Sequence, residues 1–225
     1  MFYPPTIDNI KQRIKNLKEL KYNGVQAIPA SDFGYTLMEL YQAGYAYNDL
    51  KNKYTDLTHA RQAGFSINEI IASTRPELWK NHFTFLEVKN GGASFYDAKR
   101  AGFLDSELRK YSAKEAKEAG ENCGWIKHMG YSFTEAAEAG YTCNEIKNVG
   151  FICNETTKNY FSCGELKDAG YTCKDIKNAG FSCTEAKEAG YICSNLRNSG
   201  FSFEEAIEAG FFENELRNAG IYRPC

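Results

Sequence analysis

The chain has 225 residues, 43% hydrophobic and 14% aromatic, which is enough apolar material for a sizeable core and excludes a disordered protein. Its formal net charge of −2 provides no overall positive potential, which argues against a protein whose main function is to bind phosphate groups. No apolar run follows a basic start, and none reaches the length of about eighteen residues that a membrane span needs. We therefore expect neither a signal peptide nor membrane association, and an intracellular, by default cytoplasmic, protein.

Residues 1–33 do not repeat and predict one N-terminal helix, which Thr6 can cap. Apolar residues recur at the spacing of one helix face, and basic residues crowd the remaining surface. The apolar face consists of Ile7, Ile10, Ile14, Leu17 and Leu20, and the basic residues are Lys11, Arg13, Lys15, Lys18 and Lys21. One interpretation is a cap that shields the end of a repeat stack. The other is a docking helix for an acidic partner.

Residues 34–110 contain an irregular form of a repeated unit. Ser or Thr recurs there with Glu or Asp three residues later, which is typical of the capping box at a helix start. These pairs are Thr36 with Glu39, Ser66 with Glu69, Thr84 with Glu87, and Ser94 with Asp97. The segment 73–92, which includes Trp79 and Phe85, is the least regular, and we interpret it as a bend or an insertion.

Residues 111–220 repeat every ten residues. Glycine ends every unit except one, where Tyr160 stands, and an aromatic residue follows the glycine in most units. Next comes Ser or Thr in most units, with an acidic residue three positions later. Because the hydroxyl starts a helix and a left-handed glycine ends it, each unit predicts about seven helical residues. A helix this short is unstable alone and must pack on its neighbours.

The second helical turn adds a longer period to the repeat. Its apolar residue alternates between small and large, as in Ala116 and Ile126, although the alternation slips between Thr156 and Ala186. This pattern predicts an all-α solenoid of short helices, one per ten-residue repeat, paired as helix-turn-helix units of about twenty residues. We divide the chain into an N-terminal helical cap, irregular repeats, regular repeats and a C-terminal tail. Their bounds are 1–33, 34–110, 111–220 and 221–225.

Seven of the eight cysteines share one register of the repeat, and Cys225 lies outside it. This cysteine series is Cys123, Cys143, Cys153, Cys163, Cys173, Cys183 and Cys193. Phe133 and Phe203 occupy the same position in other units, so the position favours a buried hydrophobe, a role that free Cys can fill. A metal site or a disulfide ladder is the alternative, but no Cys-x-x-Cys pair and no histidine series support it. We predict no metal and no cofactor.

Two charged series run through the repeat, and they lie two residues apart, so they belong to different helix faces. The acidic series consists of the capping-box carboxylates, and the basic series has Lys or Arg two positions later. One interpretation is a solvated surface in which the bases lie near the helix ends that the macrodipole favours. The other is a basic stripe that follows an extended polyanion, because evenly spaced cations match a phosphate backbone.

The unit from Phe181 to Gly190, like the one from Phe161 to Gly170, resembles the decapeptide helical repeats of the type F-S-x-x-E-L-K-x-A-G. Such repeats occur in uncharacterised proteins of protists, large viruses and some bacteria. The resemblance covers roughly residues 35 to 220 and is strong from 111 to 220. It implies a solenoid of short helices and implies no activity.

Our leading functional hypothesis is a non-enzymatic protein that binds another protein or contributes to a larger assembly. The candidate contact surface combines the basic series with the exposed position that follows it: Lys147, Lys167, Lys177, Lys187, Arg197, Glu138, Asn148, Asn178, Glu188 and Asn198. The alternative is a nucleic-acid binder that uses the basic series and the N-terminal helix. A third hypothesis is an enzyme with a site in segment 73–92, although His59, His82 and His128 fall in no catalytic or metal motif.

Overall fold

The structure, a computed structural model, describes residues 7–223 and contains no β-strand in that range. The chain forms two compact units, of which unit 1 ends at Lys110 and unit 2 begins at Tyr111. Thr6, the predicted cap of the first helix, lies outside the described residues, as does Cys225. The fold is an all-α solenoid of short helices, as the repeat predicts.

Unit 1 begins with the one long helix and continues with short ones. Its α-helices are α1 (Ile7–Tyr22), α2 (Ala27–Asp32), α3 (Leu37–Gln42), α4 (Leu57–Gln62), α5 (Ile67–Ser73), α6 (Phe85–Asn90), α7 (Phe95–Arg100) and α8 (Asp105–Leu108). Two 3-10 helices, Tyr47–Asp49 and Pro76–Asn81, interrupt the series. On the predicted apolar face of α1, Leu17 is buried and Ile10, Ile14 and Leu20 are half-buried, and the helix packs on α2 and α3.

Unit 2 contains one short helix for each ten-residue repeat. Its α-helices are α9 (Ala113–Glu118), α10 (Cys123–His128), α11 (Phe133–Glu138), α12 (Cys143–Asn148), α13 (Cys163–Asp168), α14 (Cys173–Asn178), α15 (Cys183–Glu188), α16 (Cys193–Leu196), α17 (Phe203–Glu208) and α18 (Glu213–Asn218). A 3-10 helix, Thr157–Asn159, takes the place of an α-helix in the unit that lacks the glycine. Most helices span six residues, and the C-cap residue completes the predicted seven.

The local signals act as predicted, which α12 illustrates. At its start, the Thr142 hydroxyl accepts a hydrogen bond from the Glu145 amide at 3.3 Å, and the Glu145 carboxylate accepts one from the Thr142 amide at 2.7 Å. At its end, Gly150 has a φ of 81° and donates its amide to the Lys147 carbonyl at 2.8 Å. The amide of the next residue, Phe151, reaches back to the Ile146 carbonyl, which completes a Schellman motif.

Alternate helices of unit 2 pack on one another, so the helices form two stacks with a period of twenty residues. Stack A contains α9, α11, the 3-10 helix Thr157–Asn159, α14, α16 and α18, and stack B contains α10, α12, α13, α15 and α17. Contacts between neighbouring helices of the two stacks, such as α11 with α12 and α14 with α15, close the core. The predicted pairing into units of about twenty residues is therefore confirmed.

The slip in the small and large alternation has a structural cause. Each pair keeps one small and one large buried residue, but the large one moves from stack B to stack A: Ala116 with Ile126, Ala136 with Ile146, Thr157 with Leu166, Ile176 with Ala186, and Leu196 with Ala206. In the unit 151–160 the inward residue is Thr157, which is fully buried, and not Thr156, which is exposed. The pair that contains the 3-10 helix still has its large residue in stack B, so the exchange takes place between α13 and α14.

Segment 73–92 of unit 1 contributes to the core. Trp79 lies in the 3-10 helix Pro76–Asn81 and is almost fully buried, as are Phe83 and Phe85. The Trp79 indole donates a hydrogen bond to the Thr74 hydroxyl at 3.0 Å, which satisfies its only polar group. The aromatic residues of the segment therefore pack inside unit 1 and line no open site.

Candidate interaction surface

The lysines of the basic series contact the repeat two units further along the chain. The Lys187 ammonium donates to the Gly210 carbonyl and lies 5.0 Å from the ring centroid of Phe211. Lys147 and Lys167 lie 4.2 Å and 5.9 Å from the rings of Tyr171 and Tyr191. These cations therefore cover the aromatic residue that follows the glycine of the next helix in the same stack, and Lys187 also interacts with the negative end of that helix.

Lys177 makes the largest set of such contacts. Its ammonium donates to the Gly200 carbonyl, lies 4.6 Å from the ring centroid of Phe201 and forms an ion pair of 2.9 Å with Glu205. This ammonium is the main reason why the pKa of Glu205 lies below its usual range. These lysines are half-buried contacts between repeats and not a fully solvated surface.

Tyrosine hydroxyls join the same repeats from the other direction. The Tyr191 hydroxyl donates to the Tyr171 carbonyl at 2.7 Å, and the Tyr131 hydroxyl donates to the Tyr111 carbonyl at 2.8 Å. Tyr141 reaches the Glu121 carbonyl at 2.6 Å, and its burial raises its pKa to about 12. In each case donor and acceptor are twenty residues apart, so they stand at equivalent positions of successive helices in one stack.

We expect the substitution Lys177→Met to lower the free energy of unfolding by about 1 to 2 kcal/mol. It keeps the apolar stem but removes a charge-assisted hydrogen bond and a cation–π contact, and solvent screening of the half-exposed ion pair limits the loss. Urea denaturation measures the change. The matched control is Lys174→Met on the same helix, where the exposed side chain gives an expected change of under about 0.5 kcal/mol. Equal losses for the two variants would contradict a special role for Lys177.

The predicted contact residues that directly follow the basic series are all exposed. Glu138, Asn148, Asn178, Glu188 and Asn198 all face solvent, and Glu138 accepts a hydrogen bond of 2.9 Å from the Tyr160 hydroxyl. Their role as partner contacts stays a prediction.

The unit 191–200 departs from the regular pattern. Helix α16 ends early at Leu196, and Asn198 adopts a left-handed φ of 64°. The Ser199 hydroxyl donates to the Leu196 carbonyl at 2.6 Å and accepts from the Phe201 amide at 3.2 Å, which replaces the usual bonds of the helix end. Arg197 is exposed and lies beside Gly220. Lys177 and Lys187 lie in the same way beside Gly200 and Gly210.

The cysteine series lies in the core, which confirms the interpretation of its position as a buried hydrophobic one. Six of its members are buried, and Cys193 is partly exposed. Burial raises the pKa of Cys143 to about 11 and that of Cys153 to about 12, so the thiols stay protonated and unreactive at neutral pH. Within residues 7–223 these seven thiols are free, and no group of three or more His, Cys, Asp or Glu side chains has an arrangement suited to a metal ion.

Two histidines of unit 1 meet at one carboxylate, which the sequence did not indicate. His59 Nδ1 lies 3.6 Å from Asp56 Oδ2, and His82 Nδ1 lies 3.9 Å from Asp56 Oδ1 and 3.0 Å from the Thr58 hydroxyl. In a nucleophilic triad the hydroxyl and the carboxylate contact opposite ring nitrogens. Here both approach the same nitrogen, so this arrangement does not activate the hydroxyl. His128 in unit 2 is exposed.

Three large apolar side chains of unit 2 stand at the repeat position where most units have a capping hydroxyl. Ile152, Ile192 and Phe212 are 76%, 61% and 70% exposed, and all three belong to stack A. The sequence carries the signal for them, because they replace Ser or Thr in the capping position, but only the structure shows how exposed they are. Ile192 and Phe212 flank a groove of about 670 Å³ between α16 and α18.

The two units differ in charge. Residues 1–110 carry 15 basic and 12 acidic side chains, a formal net charge of +3. Residues 111–225 carry 12 basic and 17 acidic side chains, a formal net charge of −5. Because the lysines of the basic series already contact carbonyls and rings, the charge that unit 2 offers to a partner is predominantly negative.

Comparison with known families agrees with the repeat read from the residues. A family model described as a decapeptide repeat region matches residues 110–183 and 160–223, half of the chain. No curated protein matches the chain. Among residues 7–223, none of the helices combines the length and the apolarity that a bilayer crossing requires. The matched repeats, their capping boxes and their glycine ends identify the chain as a member of the decapeptide repeat family.

Proposed function

We propose that this chain is a non-enzymatic repeat protein that binds another protein and so acts as an interaction or scaffolding module. The observation that carries the proposal is that some surface residues connect successive repeats whereas others are exposed to solvent. Lysines and tyrosines hold successive repeats together, whereas Ile152, Ile192 and Phe212 expose large apolar side chains to solvent. Exposed apolar side chains grouped on one side of a protein favour contact with another protein.

The charge of unit 2 supports a protein partner over a nucleic acid. A nucleic-acid binder needs several cations free to neutralise phosphates, and its affinity falls steeply as salt rises. In unit 2 the candidate cations Lys147, Lys167, Lys177 and Lys187 lie over rings, and two of them also donate to carbonyls. Lys11, Lys15 and Lys18, which are exposed along one face of α1, form a basic cluster that a polyanion could use.

Cross-linking of the full chain in extracts, followed by reconstitution with the purified candidate, tests the proposal. We expect a saturable complex with a protein, with cross-links concentrated on stack A of unit 2. A short DNA duplex and a single-stranded RNA at low salt provide the nucleic-acid comparison. Tight nucleic-acid binding that is lost on replacing Lys11, Lys15 and Lys18 by Gln, with no protein complex, would overturn the proposal. Turnover in an activity screen would do the same.

A further inference from the structure

We infer that the groove between α16 and α18 is a docking site for a short peptide segment in which a bulky apolar residue stands next to Lys or Arg. The inference rests on the proposed protein-binding function and names the chemistry of its partner. Tyr191 and Phe211 contribute the apolar part of the lining, and Ile192 and Phe212 stand exposed at its edges.

The groove lies at the start of α16, in the unit 191–200 that departs from the regular repeat. At the other end of this unit, α16 ends early at Leu196, and the Ser199 hydroxyl forms hydrogen bonds that the regular units lack. Cys193 also lines the groove, and it is the one member of the cysteine series within residues 7–223 that is not fully buried. Its partial exposure provides a chemical reporter inside the site.

The side chains at the groove's edges are not explained by the fold. Most helix starts in unit 2 use Ser or Thr to accept an amide hydrogen bond, a contribution of about 1 kcal/mol to helix stability. At Ile192 and Phe212 only the reverse half of the box remains, in which Asn195 and Glu215 accept from the backbone amides at 2.9 Å and 3.3 Å. The chain thus gives up a capping interaction at both edges and exposes apolar surface, which fits a site for an apolar side chain.

Charge complementarity selects a basic neighbour for that apolar side chain. Glu215 lines the groove and is exposed, and its carboxylate accepts hydrogen bonds from the Cys193 thiol at 3.9 Å and from the Phe212 amide at 3.3 Å. Lys187 also lines the groove, but its ammonium donates to the Gly210 carbonyl and lies over Phe211. The carbonyl and ring contacts hold the Lys187 ammonium against its own repeats, whereas Glu215 is the exposed acid of the lining, and unit 2 as a whole carries a formal net charge of −5. A Lys or Arg beside the inserted residue pairs with Glu215, and an acidic neighbour is repelled.

The experiment uses the full chain and three synthetic peptides of equal length. One carries a tryptophan between two lysines, the second replaces the lysines by glutamates, and the third replaces the tryptophan by alanine. We expect saturable binding of the first peptide alone, measured by fluorescence anisotropy. We also expect it to slow alkylation of Cys193, which mass spectrometry of the digested protein resolves from the other thiols.

Four variants locate the site. Ile192→Thr and Phe212→Thr restore the capping hydroxyl of the neighbouring units, so the helices are expected to remain, while affinity for the first peptide falls about tenfold with each. Glu215→Gln keeps an acceptor for the Phe212 amide and is expected to remove the salt dependence of binding. Ile152→Thr is the matched control, because it makes the same change in the same stack outside the groove, and it is expected to bind as the unmodified chain does.

Three results would overturn the assignment. They are equal binding of all three peptides, unchanged affinity in Ile192→Thr and Phe212→Thr, and self-association of the chain that these two substitutions abolish. The last result would assign the groove to a second copy of the chain. A partner protein that still binds the double variant refutes the groove but leaves the proposed function intact, whereas failure of every protein to bind the full chain refutes both.

Discussion

Unit 2 is expected to unfold between about pH 9 and pH 11. The reason is the set of six buried members of the cysteine series: Cys123, Cys143, Cys153, Cys163, Cys173 and Cys183. Burial disfavours the thiolate and raises the pKa of five of these thiols to about 11 and that of Cys153 to about 12. In the unfolded chain the same thiols ionise near pH 8.5.

The direction of the effect follows from proton linkage. Because the folded pKa values lie above the unfolded ones, the contribution of the protonated thiols is fully present below about pH 8.5 and is lost as the pH rises. Each thiol reduces the free energy of unfolding by about 1.4 kcal/mol per pH unit in this interval, so six thiols together remove roughly 8 kcal/mol per unit. A typical domain has only about 5 to 15 kcal/mol in total, so one or two pH units suffice.

Far-ultraviolet circular dichroism against pH measures the loss of helix, and thiolate absorbance reports ionisation in the same samples. In the triple variant Cys153→Val, Cys163→Val, Cys173→Val, half of the thiols are gone, so the loss of stability per pH unit is expected to fall by about half. Unit 1 is an internal control because residues 1–110 contain no cysteine. In a Trp125→Phe variant, fluorescence reports Trp79 alone and is expected to change at higher pH. Complete thiol ionisation with the helices of unit 2 intact would contradict the prediction.

The second large effect is expected from exchanging the buried residues of one helix pair. Ile176 in α14 and Ala186 in α15 are both fully buried, and the two helices pack on each other. Ile176→Ala is expected to lower the free energy of unfolding by about 2 to 5 kcal/mol because it leaves a cavity. Ala186→Ile is expected to cost about 1 to 3 kcal/mol because it overfills the core.

The double variant is expected to cost at least about 1 kcal/mol less than the sum of the two single changes, since it moves the large side chain to the other stack and preserves the total volume. That arrangement occurs naturally in the pairs before the 3-10 helix. In one of them the small residue, Ala136, belongs to stack A and the large residue, Ile146, belongs to stack B. Urea denaturation of the four proteins closes the cycle. Ile152→Ala, at a largely exposed position, is the control and is expected to change stability by under about 0.5 kcal/mol. Strict additivity would show that the two positions do not share one layer of the core.

The elements that the residues predicted correctly are those whose interactions close within one repeat. Thr142 and Glu145 are three residues apart, and the Gly150 amide reaches a carbonyl only three residues back, so the hydroxyl, acidic and glycine signals suffice to place each helix. The twenty-residue pairing was also readable, because it leaves a small and large alternation in the buried position. The inward position of Thr157 was not, because a 3-10 helix changes which residue points inward.

The candidate surface was predicted less completely. Positions such as Glu188 are exposed as expected, but the ammonium of Lys187 contacts a repeat 23 residues away, and no pattern within one unit reveals that distance. The groove at Ile192 and Phe212 left a trace in the sequence as two missing capping hydroxyls. Its lining depends also on which helix stands next in stack A, because Phe211, Phe212 and Glu215 belong to the following unit of that stack.

The residues by themselves determined the start, the end and the buried face of nearly every helix, because hydrogen bonds between near neighbours and the period of the apolar side chains decide those features. The tertiary structure alone decided which charges remain available, since a lysine becomes a contact between repeats only when a carbonyl and a ring from a later repeat come within its reach. The tertiary structure alone also decided where the exposed apolar side chains form a groove, because a groove requires two neighbouring helices of one stack.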